Sequence, residues 1–165
     1  MKLSYAIAGS VLALCAATTA LASNTTTGTL AVNSNVGTVC SVSATPIAFG
    51  SYTGLAIGPI TSGITVVCNT ADTVSIGLTS PNYASSDINA GTGFNMINGS
   101  DALPYTLYQG PTSGSTAWTD ANSMTGISVP AGGSGTTTTI SGYLAASLTT
   151  VPGTYSDTVT VTVTY

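Results

Sequence analysis

Residues 153–165 read GTYSDTVTVTVTY. From Val159 to Tyr165 apolar residues and Thr alternate without a break, the two-residue period of a strand with one face buried. Neither a charge nor a Pro interrupts the apolar set Val159, Val161, Val163 and Tyr165. An unpaired, flat, Val-rich strand templates association, and sheet edges normally carry such residues to prevent it. The run therefore predicts a strand that some partner covers. It also poses a question, because the sequence ends on an aromatic residue in mid-strand.

Working back along the chain, similar short runs recur between Gly, Pro, Asn and Ser turns. The expected strands are 38–44 (TVCSVSA), 64–70 (ITVVCNT), 73–80 (TVSIGLTS), 103–109 (LPYTLYQ), 137–146 (TTTTISGYLA) and the terminal run, with weaker candidates at 46–52 and 116–119. No long helical stripe appears. The pattern predicts an all-β sandwich. Its inward side chains should include Ile64, Val66, Cys68, Val74, Ile76, Leu78, Leu103, Tyr105, Leu107, Ile140, Leu144, Val159, Val161 and Val163. The polar, Gly-punctuated stretches 82–95 and 111–126 read as loops, and 131–135 and 149–153 as turns.

The first residues lie outside this pattern. Lys2 precedes an apolar stretch that reaches Ala20-Leu21-Ala22, a small-residue cleavage site. Residues 1–22 read as a secretory signal peptide cut after Ala22, so the mature chain has no membrane span. Lys2 is the only Lys or Arg among 165 residues and there is no His, so the chain from Ser23 onward holds no basic side chain. Its acids are five aspartates: Asp72, Asp87, Asp101, Asp120 and Asp157. Nucleic-acid binding needs cations to displace phosphate counterions, which excludes that class. Anionic membrane surfaces are disfavoured for the same reason.

Cys15 leaves with the signal, and Cys40 and Cys68 remain. A cysteine pair in an exported chain reads as a disulfide. Closing a loop of about 29 residues stabilises the fold by roughly 3–4 kcal/mol on the chain-entropy estimate. Two thiolates without His make a poor metal cage.

Acid–base and nucleophilic catalysis usually relies on His, Lys, Glu or a reactive Cys. Here only Asp, Tyr, Ser and Thr are on offer. ADTVS and SDTVT lack the D-[ST]-G loop of aspartic proteases, and no D-x-D-x-D-G calcium loop occurs. The aspartates read as turn or solvated residues, and the expectation is a protein that is not an enzyme and carries no cofactor. Trp118 with Tyr83, Tyr105 and Tyr108 offers a sugar-stacking platform as an alternative to plain packing.

Between the signal and Cys40, SNTTTGTLAVNSNVGTV has few bulky residues, yet Leu30, Val32 and Val36 share one parity. Three readings stand open: a first strand of the sandwich, an ordinary terminus, or a detachable strand.

Several stretches together resemble one family. CSVSATPIAFGSY (40–52) is similar to the C-x-V-x-x-x-P-x-x-F-G-x-Y opening of spore-coat-protein-U-type domains. NGSDALPYTLYQ followed by TAW resembles their G-x-x-x-L-x-Y-x-L-Y…W segment, and PGTYSDTVTVTVTY their closing strand. The chain departs from the family before the Trp, where GPTSGSTAW lacks the usual Arg.

The family includes subunits of archaic chaperone–usher pili, immunoglobulin-like sandwiches that lack their last strand. The resemblance implies an incomplete immunoglobulin-like sandwich over 37–165, completed by a donor strand from another molecule. Residues 23–36 would be the donor, with Leu30, Val32 and Val36 as its inserting side chains. Val159, Val161, Val163 and Tyr165 would border the accepting groove. The implied partners are a periplasmic chaperone, an outer-membrane usher and further copies of this or other pilins. The implied route runs through the periplasm to a surface fibre serving adhesion or biofilm formation. Two other expectations stand beside it: a secreted or spore-coat sandwich that closes its own sheet with residues 24–36, and a carbohydrate-binding module centred on Trp118.

Overall fold

Alternation in the sequence becomes two faces in space. In a computed structural model, which describes residues 24–84, 93–147 and 150–165, Ile64, Val66, Cys68, Val74, Ile76 and Leu78 are all buried, while Thr73 and Thr79 are exposed. The described residues form eight strands: β1 (Cys40–Ala44), β2 (Ile57–Cys68), β3 (Asp72–Thr79), β4 (Phe94–Asn98), β5 (Asp101–Tyr108), β6 (Ser123–Val129), β7 (Thr136–Leu144) and β8 (Thr160–Thr164). Among the described residues there is no helix, and so none long and apolar enough to cross a membrane.

Two sheets share one core. The larger has the order β1-β2-β7-β5-β4 and the smaller β6-β3-β8, with every pairing antiparallel. The core contains the expected Leu103, Tyr105, Leu107, Ile140 and Leu144, together with Phe94, Trp118 and Val129. Val159, Val161 and Val163 are only partly buried against it. Cys40 and Cys68 stand directly opposite each other in the β1–β2 ladder and are joined by a disulfide.

Several expectations need correction. β6 falls largely, and β4 in its first two residues, within stretches read as loops. In β6, Met124 faces Ile76 and Ile127 faces Val74, so three residues advance on one strand against two on the other. Gly126, at φ 73°, occupies this bulge; the left-handed region suits a residue without Cβ. The bulge breaks the period of two, so alternation does not reveal the strand. β2 starts seven residues before the expected Ile64, running through an irregularity between Ile57 and Ile60. Residues 116–119 contribute only an isolated bridge, Tyr108 to Ala117. Residues 46–52 form no strand.

The chain divides into two compact units, Met1–Asn35 and Val36–Tyr165. In the first, the described residues 24–35 form no strand and are exposed throughout. Ala20 and Ala22 of the expected cleavage site lie outside the described residues.

Candidate functional site: an open groove between the sheets

Each sheet ends at a strand with one partner. β8 pairs with β3 alone, and β1 with β2 alone. Between β8 and the segment that follows β1 the core is open. A groove of about 980 Å³ is lined by residues 44–54, by Val159 just before β8 and Val161 within it, and by core side chains of both sheets, among them Ile64, Ile140, Leu144 and Leu78. Val42 lies opposite the fully buried Val66 and shares its inward parity, yet remains 41% exposed.

Residues 46–53 form the other lip. Hydrogen bonds bracket the segment, Thr45 N donating to Gly63 O at 3.0 Å and Ser147 N to Gly54 O at 3.0 Å. Between them, no backbone–backbone hydrogen bond forms among the described residues. The segment is held by side chains instead. Phe49 packs edge-on against Tyr105 at 5.9 Å between ring centroids, and Tyr52 Oη donates to Ala145 O at 2.7 Å. Ile47 and Phe49 lie so close to β7 that a Cβ on Gly142 would stand 3.0 Å from each, so any larger residue there has to push both side chains aside. The expectation of a strand at 46–52 thus fails for a physical reason: the side chains alternate, but no strand lies alongside to pair with the backbone.

One end of the groove is fastened by Asp157, which the sequence suggested was a turn or solvated residue. Its carboxylate accepts from Ser80 Oγ at 2.8 and 2.9 Å, Asn82 Nδ2 at 2.8 Å, Tyr105 Oη at 2.7 Å and Thr158 N at 2.8 Å. Neutral donors satisfy the charge in a region that holds no Lys, Arg or His. The cluster ties the start of β8 to β5 across the sandwich and to the chain after β3. Burial first, then the hydrogen bond and charge of Asp157, push the Tyr105 phenol far above its ordinary value. The neighbouring Ser156 exchanges backbone hydrogen bonds with Ile97, at 2.9 and 3.3 Å.

Val159 and Val161 line the groove, Val163 packs half-buried at the core, and Tyr165 is 54% exposed. Leu30, Val32 and Val36 are 88%, 84% and 75% exposed. Trp118 is 1% exposed and packs in the core, so it offers no stacking face to a sugar. Among the described residues no group of three or more His, Cys, Asp or Glu side chains converges to hold a metal.

The family model described as the Spore Coat Protein U domain matches residues 26–162. The chain belongs to that family. None of the curated proteins matches it. Solved structures similar to this Spore Coat Protein U domain chain include a chain of the CsuC–CsuE chaperone–tip adhesion subunit pre-assembly complex from archaic chaperone–usher Csu pili of Acinetobacter baumannii. That match has 18% identity and a TM-score of 0.53, and covers 79% of this chain and 40% of that one. A chaperone–usher pilus whose structure addresses rod uncoiling matches at 17% identity and TM-score 0.51, covering 84% and 95% of the two chains. The P pilus rod subunit PapA matches at 19% and 0.52, covering 76% and 98%. At these identities the likeness establishes the fold.

Proposed function

We propose that the chain is a structural subunit of a surface pilus, assembled by a chaperone–usher pathway through strand donation. The observation that carries this reading is the groove: it opens onto the core and is bordered by β8 and by residues 46–53, both with unpaired backbone on that side. An extended peptide laid there gains hydrogen bonds along its length and places alternate side chains on apolar walls. The kinship of folds with pilus subunits supports it.

Residues 23–36 are the proposed donor, and 37–165 the accepting domain. Burying Leu30, Val32 and Val36 contributes roughly 5–9 kcal/mol at about 1.5–3 kcal/mol each, before backbone pairing is counted. Donation from one copy to the next is a heterologous contact that does not close, so it builds a filament. A periplasmic chaperone covers the groove until an usher delivers the next donor. In this reading residues 1–22 direct export, with cleavage after Ala22, and the role is mechanical rather than catalytic.

Two substitutions test the assignment by electron microscopy of fibres. Leu30→Asp leaves a folded subunit that accepts a wild-type donor but cannot donate. Val161→Asp puts an unpaired charge on the groove wall and damages folding and assembly together. Fibres from Leu30→Asp protein as long and numerous as those of wild type sink the donor assignment.

A further inference from the structure

A donor arm beside an acceptor groove on the same chain faces a competition. Insertion into its own groove is intramolecular, and a short flexible connection gives an effective concentration of about millimolar, well above that of a free second copy. Only geometry can remove that advantage, because effective concentration falls to near zero when the connection cannot span the sites.

The strand register locates where the connection must turn. Cys40 pairs with Cys68 at the end of β2, and β3 begins four residues later at Asp72. Ser75 of β3 pairs with Thr164, so the start of β1 and the end of β8 lie at the same end of the sandwich. To fill the groove of its own domain, the chain preceding Cys40 must reverse direction there, within residues 36–39.

Those residues are held. Val39 N donates to Asn69 Oδ1 at 2.8 Å, Asn69 Nδ2 donates to Gly37 O at 2.9 Å, and Asn69 N donates to Val39 O at 3.1 Å. Thr38 Oγ1 and Thr70 Oγ1 share a further bond at 3.1 Å. The Asn69 side chain acts as an extra peptide group. It continues the β1–β2 ladder past the disulfide to Gly37, the one residue in 36–39 best suited to a tight reversal.

Building on the donor reading, we infer that Asn69 is a positioning residue: it clamps residues 37–39 in line with β1, and so reserves the arm for the groove of a second copy. A reversal spread over residues 37–39 breaks both side-chain bonds of Asn69 before any groove contact forms. Two ordinary hydrogen bonds shift an equilibrium by about five- to thirtyfold.

The test uses the full chain, exported and purified with its disulfide intact, then refolded from denaturant at a series of protein concentrations. Size-exclusion chromatography separates monomer from larger species. Thermolysin, which cuts before bulky apolar residues, reports whether Leu30 and Val32 are covered. For wild type, a protected arm is expected mainly in species larger than the monomer, with a small protected-monomer fraction as the baseline. Asn69→Ala should raise the protected monomer, relative to oligomer, by about five- to thirtyfold, independently of concentration. Asn69→Asp, which keeps the acceptor for Val39 N and loses the donor to Gly37 O, should fall between.

A purely structural Asn69 lowers the stability of every species and leaves that ratio unmoved. Wild-type partition in both variants, with arm protection abolished by Leu30→Asp, overturns the clamp and spares the donor reading. An arm equally protected in Leu30→Asp and wild type overturns both. Should Asn69→Ala fail to fold, an unchanged ratio in Asn69→Asp is itself sufficient to reject the clamp.

Discussion

Replacing Asp157 with Ala removes the acceptor for four donors at once. Bonds to a charged group contribute about 1.5–3 kcal/mol each when measured singly, but these donors share two oxygens and their losses do not add. Ser80, Asn82 and Thr158 are half-buried or exposed and regain water. Tyr105 is only 5% exposed, so its hydroxyl is left without a partner in an apolar site. The net loss expected is about 2–4 kcal/mol. For a domain of this size that lowers Tm by roughly 4–16 °C.

Urea denaturation followed by tyrosine fluorescence measures the loss, with the disulfide oxidised. The midpoint should fall at unchanged slope, since the surface exposed on unfolding is the same. Tyr105→Phe alone should cost less, about 1–2 kcal/mol, because the carboxylate keeps its other donors. The double variant should show a coupling of about 1 kcal/mol or more. An Asp157→Ala protein within about 0.5 kcal/mol of wild type would refute the reasoning and restore Asp157 to the ordinary surface.

Three further outcomes follow from the same structure. Replacing Cys40 and Cys68 together with Ser should cost about 3–4 kcal/mol by equilibrium unfolding. Trp118→Ala should destabilise by about 3–5 kcal/mol, as for other buried aromatics, and calorimetry with oligosaccharides should show no binding for it to abolish. The raised Tyr105 phenol keeps its proton in the folded state while the unfolded state loses it above about pH 10. Stability from this group is therefore complete below pH 10 and declines above it, by up to about 1.4 kcal/mol per pH unit. Above that pH the denaturation midpoint of Tyr105→Phe should fall less steeply with pH than that of wild type.

What the sequence disclosed depended on whether a residue's partner lay within its own period. The runs 64–68, 74–78 and 103–107 bury alternate residues on regular strands, and their alternation predicted the core directly. β6 stayed hidden because Gly126 shifts Ile127 off the parity of Met124. β4 stayed hidden because five residues between Gly93 and Gly99 are too few to display a period. In the groove, Val159 and Val161 were visible, but the opposite lip was not: residues 46–53 look like a strand until the absence of a backbone partner is seen. Asp157 and Asn69 could not be read at all, since their roles depend on donors and acceptors brought from far along the chain. A lone Asp or Asn beside a strand looks the same whether it caps a turn or joins two sheets.

The Cys40–Cys68 bond also fixes how the domain carries load. In a fibre of the proposed kind, tension reaches each subunit through the backbone at Val39. There it meets a covalent bridge before it reaches the pairs from Ser41↔Val67 to Ala44↔Ile64. Force crosses from Cys40 to Cys68, passes down the short link to Asp72, and enters β3, whose ladder with β8 runs beside the groove. β1 and nearly all of β2 lie on a detour, loaded only through the donor's contacts with residues 46–53. Reduction puts that detour in series, adding up to about 90–100 Å of extensible chain, which single-molecule pulling of reduced and oxidised fibres would register as an extra step. The bridge makes the pulled part of each subunit a short strap along one sheet, and leaves the rest of the sandwich to keep its shape while the strap is under tension.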